Sequence, residues 1–251
     1  HRRRRMPDGI INMEVPGPGE DRGTSSIDPT IRVLAARDTN GAVKGSLVCF
    51  GTHGTVLGPN NLMISGDLPG RLCQVLDRRF GHRGSVFLSG ASADVNPLAF
   101  RGSWTQLAAV SELLSDYVLR VIGSANSIEL SRPRSHLADL EVPLLPVERS
   151  KVDEFLERPP ERITSTHSTE AFSNTKALRE WAEFTLSRYE SRAEKVSTVT
   201  VHYIGWGGLA IAGIGAEVFS STARHLRQRS GRRLWVCGYV DGTRGYLPGE
   251  L

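Results

Sequence analysis

Apolar positions along this chain recur in two periods, and together they mark out strands and helices in a mixed order. Val43 to Phe50 and Ser85 to Ser89 are short, nearly continuous apolar runs of strand length. Ile31 to Ala36 precedes the first of them across Thr39-Asn40-Gly41-Ala42, a turn sequence that joins the two as a hairpin. Pro69 to Phe80 carries Leu72, Val75, Leu76 and Phe80 on one side, with proline in its first turn and Gly81 as its stop, which predicts a helix. Trp104 to Ile122 repeats apolar residues at helical spacing through Leu107, Val110, Leu114, Tyr117, Val118 and Val121, so its Trp and Tyr are expected in the core.

The second half continues both patterns. Leu137 to Val147 alternates as a strand, and residues 148 to 166, with Pro159-Pro160 and dense charge, read as a surface excursion that leaves His136 and His167 exposed. Thr175 to Tyr189 is amphipathic through Leu178, Trp181, Ala182 and Leu186. Val199 to Ile204 pairs with Leu209 to Ile214 across Gly205-Trp206-Gly207-Gly208 as a second hairpin. A helix headed by Glu217 follows, then a last strand from Leu234 to Val240. Hairpins beside strand-helix-strand units imply an α/β fold with a mixed sheet and covering helices, not a purely parallel one. No internal repeat is visible, and residues 1 to 251 read as part of one domain, with 1 to 28 an irregular surface segment.

Composition narrows the classes. The hydrophobic content of 39% over 251 residues is enough for a sizeable core. A formal charge of +4, from 31 Lys+Arg against 27 Asp+Glu, is too weak to indicate nucleic acid. The run Arg2 to Arg5 matches that excess and reads as a solvated terminus, with phosphate or a peripheral membrane surface as the alternative contact. No apolar run reaches the length of a membrane span. Cys49, Cys73 and Cys237 are scattered and read as buried free thiols.

Two strands end in loops built for chemistry. Val43 to Phe50 runs into Gly51-Thr52-His53-Gly54, where flanking glycines clear space around an imidazole that could face a metal or substrate, or stand as a satisfied strand-end histidine. Ser85 to Ser89 runs into Gly90-Ala91-Ser92-Ala93-Asp94-Val95-Asn96-Pro97, where Asp94 and Asn96 could share a pocket with His53 or simply cap a turn. Glu217 alone suits the first turn of a helix, and Tyr246 alone would pack over its turn. His202 and His225 have bland settings in an alternating strand and an arginine-rich helix.

Taken together, Thr52-His53-Gly54, Ile64-Ser65-Gly66-Asp67, Ala93-Asp94-Val95-Asn96-Pro97, the glutamate segment Gly215 to Arg227 and Gly245-Tyr246-Leu247-Pro248-Gly249 resemble the neutral ceramidase family in order and approximate spacing. The resemblance covers residues 28 to 251, only loosely between Ser131 and Thr200. It implies a catalytic domain of mixed α/β type and a zinc ion held by His53, Glu217 and Tyr246. A second family histidine lies upstream of any segment present here, so the chain reads as the C-terminal portion of a longer domain. Ser65 and Asp67 are implied to bind substrate, and Asp94 and Asn96 to act in catalysis. Family members with ceramidase activity carry serine where Asn96 stands; an amide cannot be a nucleophile but can donate a hydrogen bond to an oxyanion.

The implied function is zinc-dependent hydrolysis of an N-acyl amide, a sphingolipid-like substrate, by metal-activated water. A non-catalytic relative and a metal-dependent peptidase or esterase on a soluble substrate are the alternatives.

Overall fold

The computed structural model describes residues 4–5, 11–12, 27–81, 83–144, 148–157, 179–187 and 196–247. Its elements in chain order are β1 (Arg4–Arg5), β2 (Ile11–Asn12), β3 (Arg32–Arg37), β4 (Val43–Phe50), α1 (Asp67–Phe80), β5 (Ser85–Ser89), α2 (Trp104–Gly123), β6 (Arg134–Pro143), α3 (Arg149–Glu157), α4 (179–187), β7 (Val196–Trp206), β8 (Leu209–Ile214), β9 (Glu217–Val218), α5 (Ser220–Ser230), β10 (Arg233–Cys237) and β11 (Tyr246–Leu247). His167 and the Pro159-Pro160 segment lie outside the described residues.

Two compact units divide the chain: His1–Asp139 with Val199–Leu251, and Leu140–Thr198. The second unit contains α3 and α4, in which Val152 and Ala182 are fully buried. The candidate residues all belong to the first unit, which is a mixed α/β structure. Its three-stranded sheet runs β3-β4-β5, with β3 and β4 joined antiparallel as the turn sequence requires and β4 and β5 parallel. A four-stranded sheet runs β10-β8-β7-β6; β7 and β8 form the antiparallel hairpin, and β8 and β10 are parallel.

β4 is a central strand, and consecutive residues serve opposite faces. Val48 packs into a cluster with Leu68, Leu72 and Leu76 of α1 and Leu107, Leu114 and Val118 of α2. Cys49 joins Leu209, Trp235 and Cys237 on the other side. Both helices stop and start as their sequences dictate. Gly81 ends α1 in the left-handed conformation, and Ser103 with Gln106 forms a reciprocal cap at the start of α2.

The packed face of α2 differs from the one its aromatic residues suggest. Trp104 and Tyr117 are 51% and 49% exposed, whereas Ser111 and Ser115 are fully buried. The two serines return their hydroxyls to the carbonyls of Leu107 and Glu112, so the helix buries small residues at no hydrogen-bonding cost. Glu217 also sits differently. It lies in the two-residue strand β9, paired with β11, and the helix begins only at Ser220. β10 ends at Cys237, three residues short of the strand expected to reach Val240.

Candidate functional site

Parallel strands deliver their following loops to one end of a sheet, and the segments after two parallel pairs, β4 with β5 and β8 with β10, build the site. The loops after β4 and β5 cross backbone against backbone. A Cβ on Gly90 would lie 2.8 Å from the Gly51 nitrogen, and one on Gly51 would overlap the Ala91 carbonyl oxygen. Only glycine permits this approach. Beyond the crossing, His53 turns its Nδ1 to the Val95 carbonyl at 2.9 Å. A carbonyl can only accept, so Nδ1 carries the proton and Nε2 presents its lone pair. The Asp94-Val95-Asn96 loop thus orients the imidazole through its backbone.

Tyr239 completes the cluster. Two residues past the end of β10 its backbone takes φ +62°, a left-handed conformation that is strained for an aromatic residue, while its N–H donates to the Ala216 carbonyl at 3.1 Å. The turn carries the phenol oxygen to 3.0 Å from His53 Nε2 and 2.9 Å from Glu217 Oε2. The latter two atoms are 3.5 Å apart. A phenol has one proton, yet it faces a lone pair and a carboxylate.

Two ligand atoms on one tetrahedral zinc, each about 2.0–2.2 Å from it, lie about 3.3–3.5 Å apart. The observed Nε2 to Oε2 separation fits that edge, and the Nδ1 contact to a carbonyl is the outer support that a metal-binding histidine needs. No group of three or more His, Cys, Asp or Glu side chains suited to a metal occurs among the described residues.

The other sequence candidates occupy varied positions. Tyr246 pairs with Glu217 across β9 and β11, so the two side chains leave the same face, and its ring meets Phe219 edge-on at 6.1 Å. Asp94 is buried, and its Oδ1 accepts from the Ser220 N–H at 3.0 Å and hydroxyl at 2.9 Å, capping α5. Asn96 follows on the loop that holds His53. Asp67 is buried as well: its Oδ1 accepts from Val56 N–H at 2.9 Å and Leu68 N–H at 2.7 Å, and its Oδ2 from Leu57 N–H at 2.8 Å. Ser65 accepts from the Asp67 N–H at 2.9 Å. Ser65 and Asp67 thus clasp the start of α1 to the segment after His53.

Sequence reasoning passed over Tyr239 because it was counted inside a strand. The signal available was Gly238, which interrupts the apolar run one residue earlier, much as Gly51 does two residues before His53.

No family model and no curated protein matches the chain. Solved structures do. Neutral ceramidase from Pseudomonas aeruginosa superposes with a TM-score of 0.61 at 16% identity, over 92% of this chain and 42% of that one. A ceramidase complexed with C2 gives 0.60 at 16% identity, over 92% and 44%. The chain has a ceramidase-like fold. It spans less than half the length of these ceramidases.

The cysteines nearby are free, as their scatter in the sequence implies. Cys49 and Cys237 place their sulfurs 3.8 Å apart in the core between β4 and β10. Sharing a hydrogen with Cys49, together with burial, pushes the Cys237 thiol far above its ordinary range.

Proposed function

We propose that this chain carries part of the active site of a ceramidase-related hydrolase that cleaves an N-acyl amide of lipid type. The observation that carries the reading is the Tyr239 hydroxyl held between His53 Nε2 and Glu217 Oε2 at the strand ends of a ceramidase-like fold. His53 and Glu217 would hold zinc, with the phenol of Tyr239 or of its neighbour Tyr246 as a further ligand. Zinc so held would supply Lewis acidity toward a water and toward the scissile carbonyl.

The chain's own residues then have definite tasks. The Val95 carbonyl keeps the proton on Nδ1 and the lone pair on Nε2 directed into the site. The Glu217 carboxylate can accept the proton that an attacking water sheds. The amide of Asn96 donates to the oxyanion in place of a nucleophilic hydroxyl. Asp94, Ser65 and Asp67 act on substrate through the loops they fix.

The apolar character of the neighbouring surface supports a lipid substrate over a soluble one. Leu62, Met63 and Ile64 are exposed in succession on the loop between His53 and Asp67, and Leu98 is exposed past the Asp94 loop. Such runs of exposed apolar side chains mark contact with apolar ligands or membranes. Among the described residues no helix is long and apolar enough to cross a membrane.

A second reading, a ceramidase-like protein without turnover, is favoured by Asn96 and by the capping role of Asp94. One experiment separates them. Metal content and release of a fluorescent amine from a short N-acyl sphingosine analogue are measured for the chain and for His53→Ala. Metal and release that are both lost in His53→Ala support the hydrolase; metal without release supports the non-catalytic reading, and no metal refutes the zinc assignment.

A further inference from the structure

At the other end of the four-stranded sheet lies a cavity of about 260 Å³ lined by Ser131, Arg132, Arg134, Tyr203, Gly205 and Arg232 among others. Arg132 and Arg134 enter at the start of β6, Tyr203 and Gly205 on β7 where it turns into β8, and Arg232 just before β10. Among the described residues no carboxylate lines the cavity. Among the described residues none of the three guanidiniums, all of them on exposed residues, has an acidic partner.

We infer that this cavity is an anion site for a phosphoryl or sulfuryl group, distinct from the His53 cluster. Three like charges gathered in one concavity raise its potential, and an anion relieves their repulsion. Arginine forks approaching from two edges of a sheet, with hydroxyls from Tyr203 and Ser131, suit the several oxygens of a tetrahedral anion better than the two coplanar oxygens of a carboxylate. The Tyr203 ring lies over Gly205, where a Cβ would come within 3.0 Å of its hydroxyl oxygen, so the absent side chain lets the phenol reach the cavity wall. The volume falls below the roughly 300–1,000 Å³ of pockets that enclose drug-sized ligands, which limits the ligand to the anion and a small ester group. Seven residues of nearly extended chain from Arg232 to Tyr239 put the two sites about 20 Å apart, so this inference does not rest on the hydrolase reading.

The test is calorimetric titration of the chain with inorganic phosphate at ionic strength held constant with chloride. Saturable binding is expected at one phosphate per chain, weakened about tenfold by Arg134→Gln or Arg232→Gln through loss of one charge-assisted contact. Arg71→Gln removes the same charge from the exposed side of α1 and should leave binding unchanged. Phosphate heats no larger than those of chloride, or an equal loss in Arg71→Gln, would overturn the site. Glycerol phosphate and phosphatidic acid vesicles, each competed with free phosphate, distinguish a soluble ester from a lipid headgroup as the source.

Discussion

Replacing Asp67 by asparagine separates a binding role from a structural one. The carboxylate is 8% exposed and accepts three backbone N–H groups, two on Oδ1 and one on Oδ2. Its backbone φ is +47°, a conformation that asparagine adopts at least as readily as aspartate, so the substitution adds no backbone strain. An asparagine oxygen can keep the Val56 and Leu68 contacts, but its NH₂ then faces the Leu57 N–H, donor against donor. The loss is one charge-assisted hydrogen bond and one poorly satisfied backbone donor, about 2–4 kcal/mol in all. For a domain of this size that corresponds to a fall in Tm on the order of 10 °C. Urea unfolding followed by circular dichroism measures it, with Asp67→Ala expected to lose more because all three N–H groups are left. A change below about 0.5 kcal/mol, the range of ordinary surface substitutions, combined with weakened substrate binding, would refute the clasp and restore Asp67 as a substrate ligand.

Three further outcomes are expected. Gly51→Ala should destabilise the first unit by about 2–4 kcal/mol, because its Cβ overlaps backbone and not a side chain that can move aside; a soluble variant with wild-type urea midpoint would contradict the crossing. Tyr239→Phe should lower amide turnover about 10²-fold, and Tyr246→Phe less than tenfold; the reverse order in steady-state kinetics would return the site phenol to Tyr246. Burial works against ionisation of Asp28, but its bond to Thr30 and its pairs with Arg32 at 3.1 Å and Arg227 at 2.7 Å prevail and hold its carboxyl below 3.8. A depressed carboxylate contributes stability that is present above its unfolded pKa and lost as pH falls through the folded one. Unfolding midpoints should therefore lose an Asp28-dependent part below about pH 4, and an unchanged acid limb in Asp28→Asn would disprove it.

The strands and helices were legible where one face alone decides the pattern. β4, β5 and β8 begin and end where their apolar runs do, and α1 ends at the glycine that can take a left-handed turn. α2 was misjudged on its face, because aromatic residues outrank serine in any apolar count while Ser111 and Ser115 are the ones buried, their hydroxyls satisfied within the helix. The site was half legible for a related reason. His53 and the Asp94 loop follow apolar strands and glycines, so a linear reading finds them. Glu217 and Tyr239 owe their positions to backbone events that leave little trace in sequence: a two-residue strand paired with a segment 29 positions later, and a positive φ on tyrosine.

That difference bears on which phenol belongs to the site. A motif match follows order along the chain and selects Tyr246, which stands on the strand beside Glu217. Hydrogen bonding follows reach in space and selects Tyr239, whose strained backbone is held by its N–H bond to Ala216 and by the contacts its hydroxyl makes. Strain persists where surrounding structure over-determines it. Here the constraints are the Tyr239 N–H bound to Ala216 and the hydroxyl bound at both His53 and Glu217. A tyrosine freed of those partners would relax toward the extended backbone of β10, and its hydroxyl would leave the site. The cluster and the turn therefore stabilise each other, and a cation joining His53 to Glu217 would compete for the space that the Tyr239 hydroxyl now fills or would recruit its oxygen as a ligand.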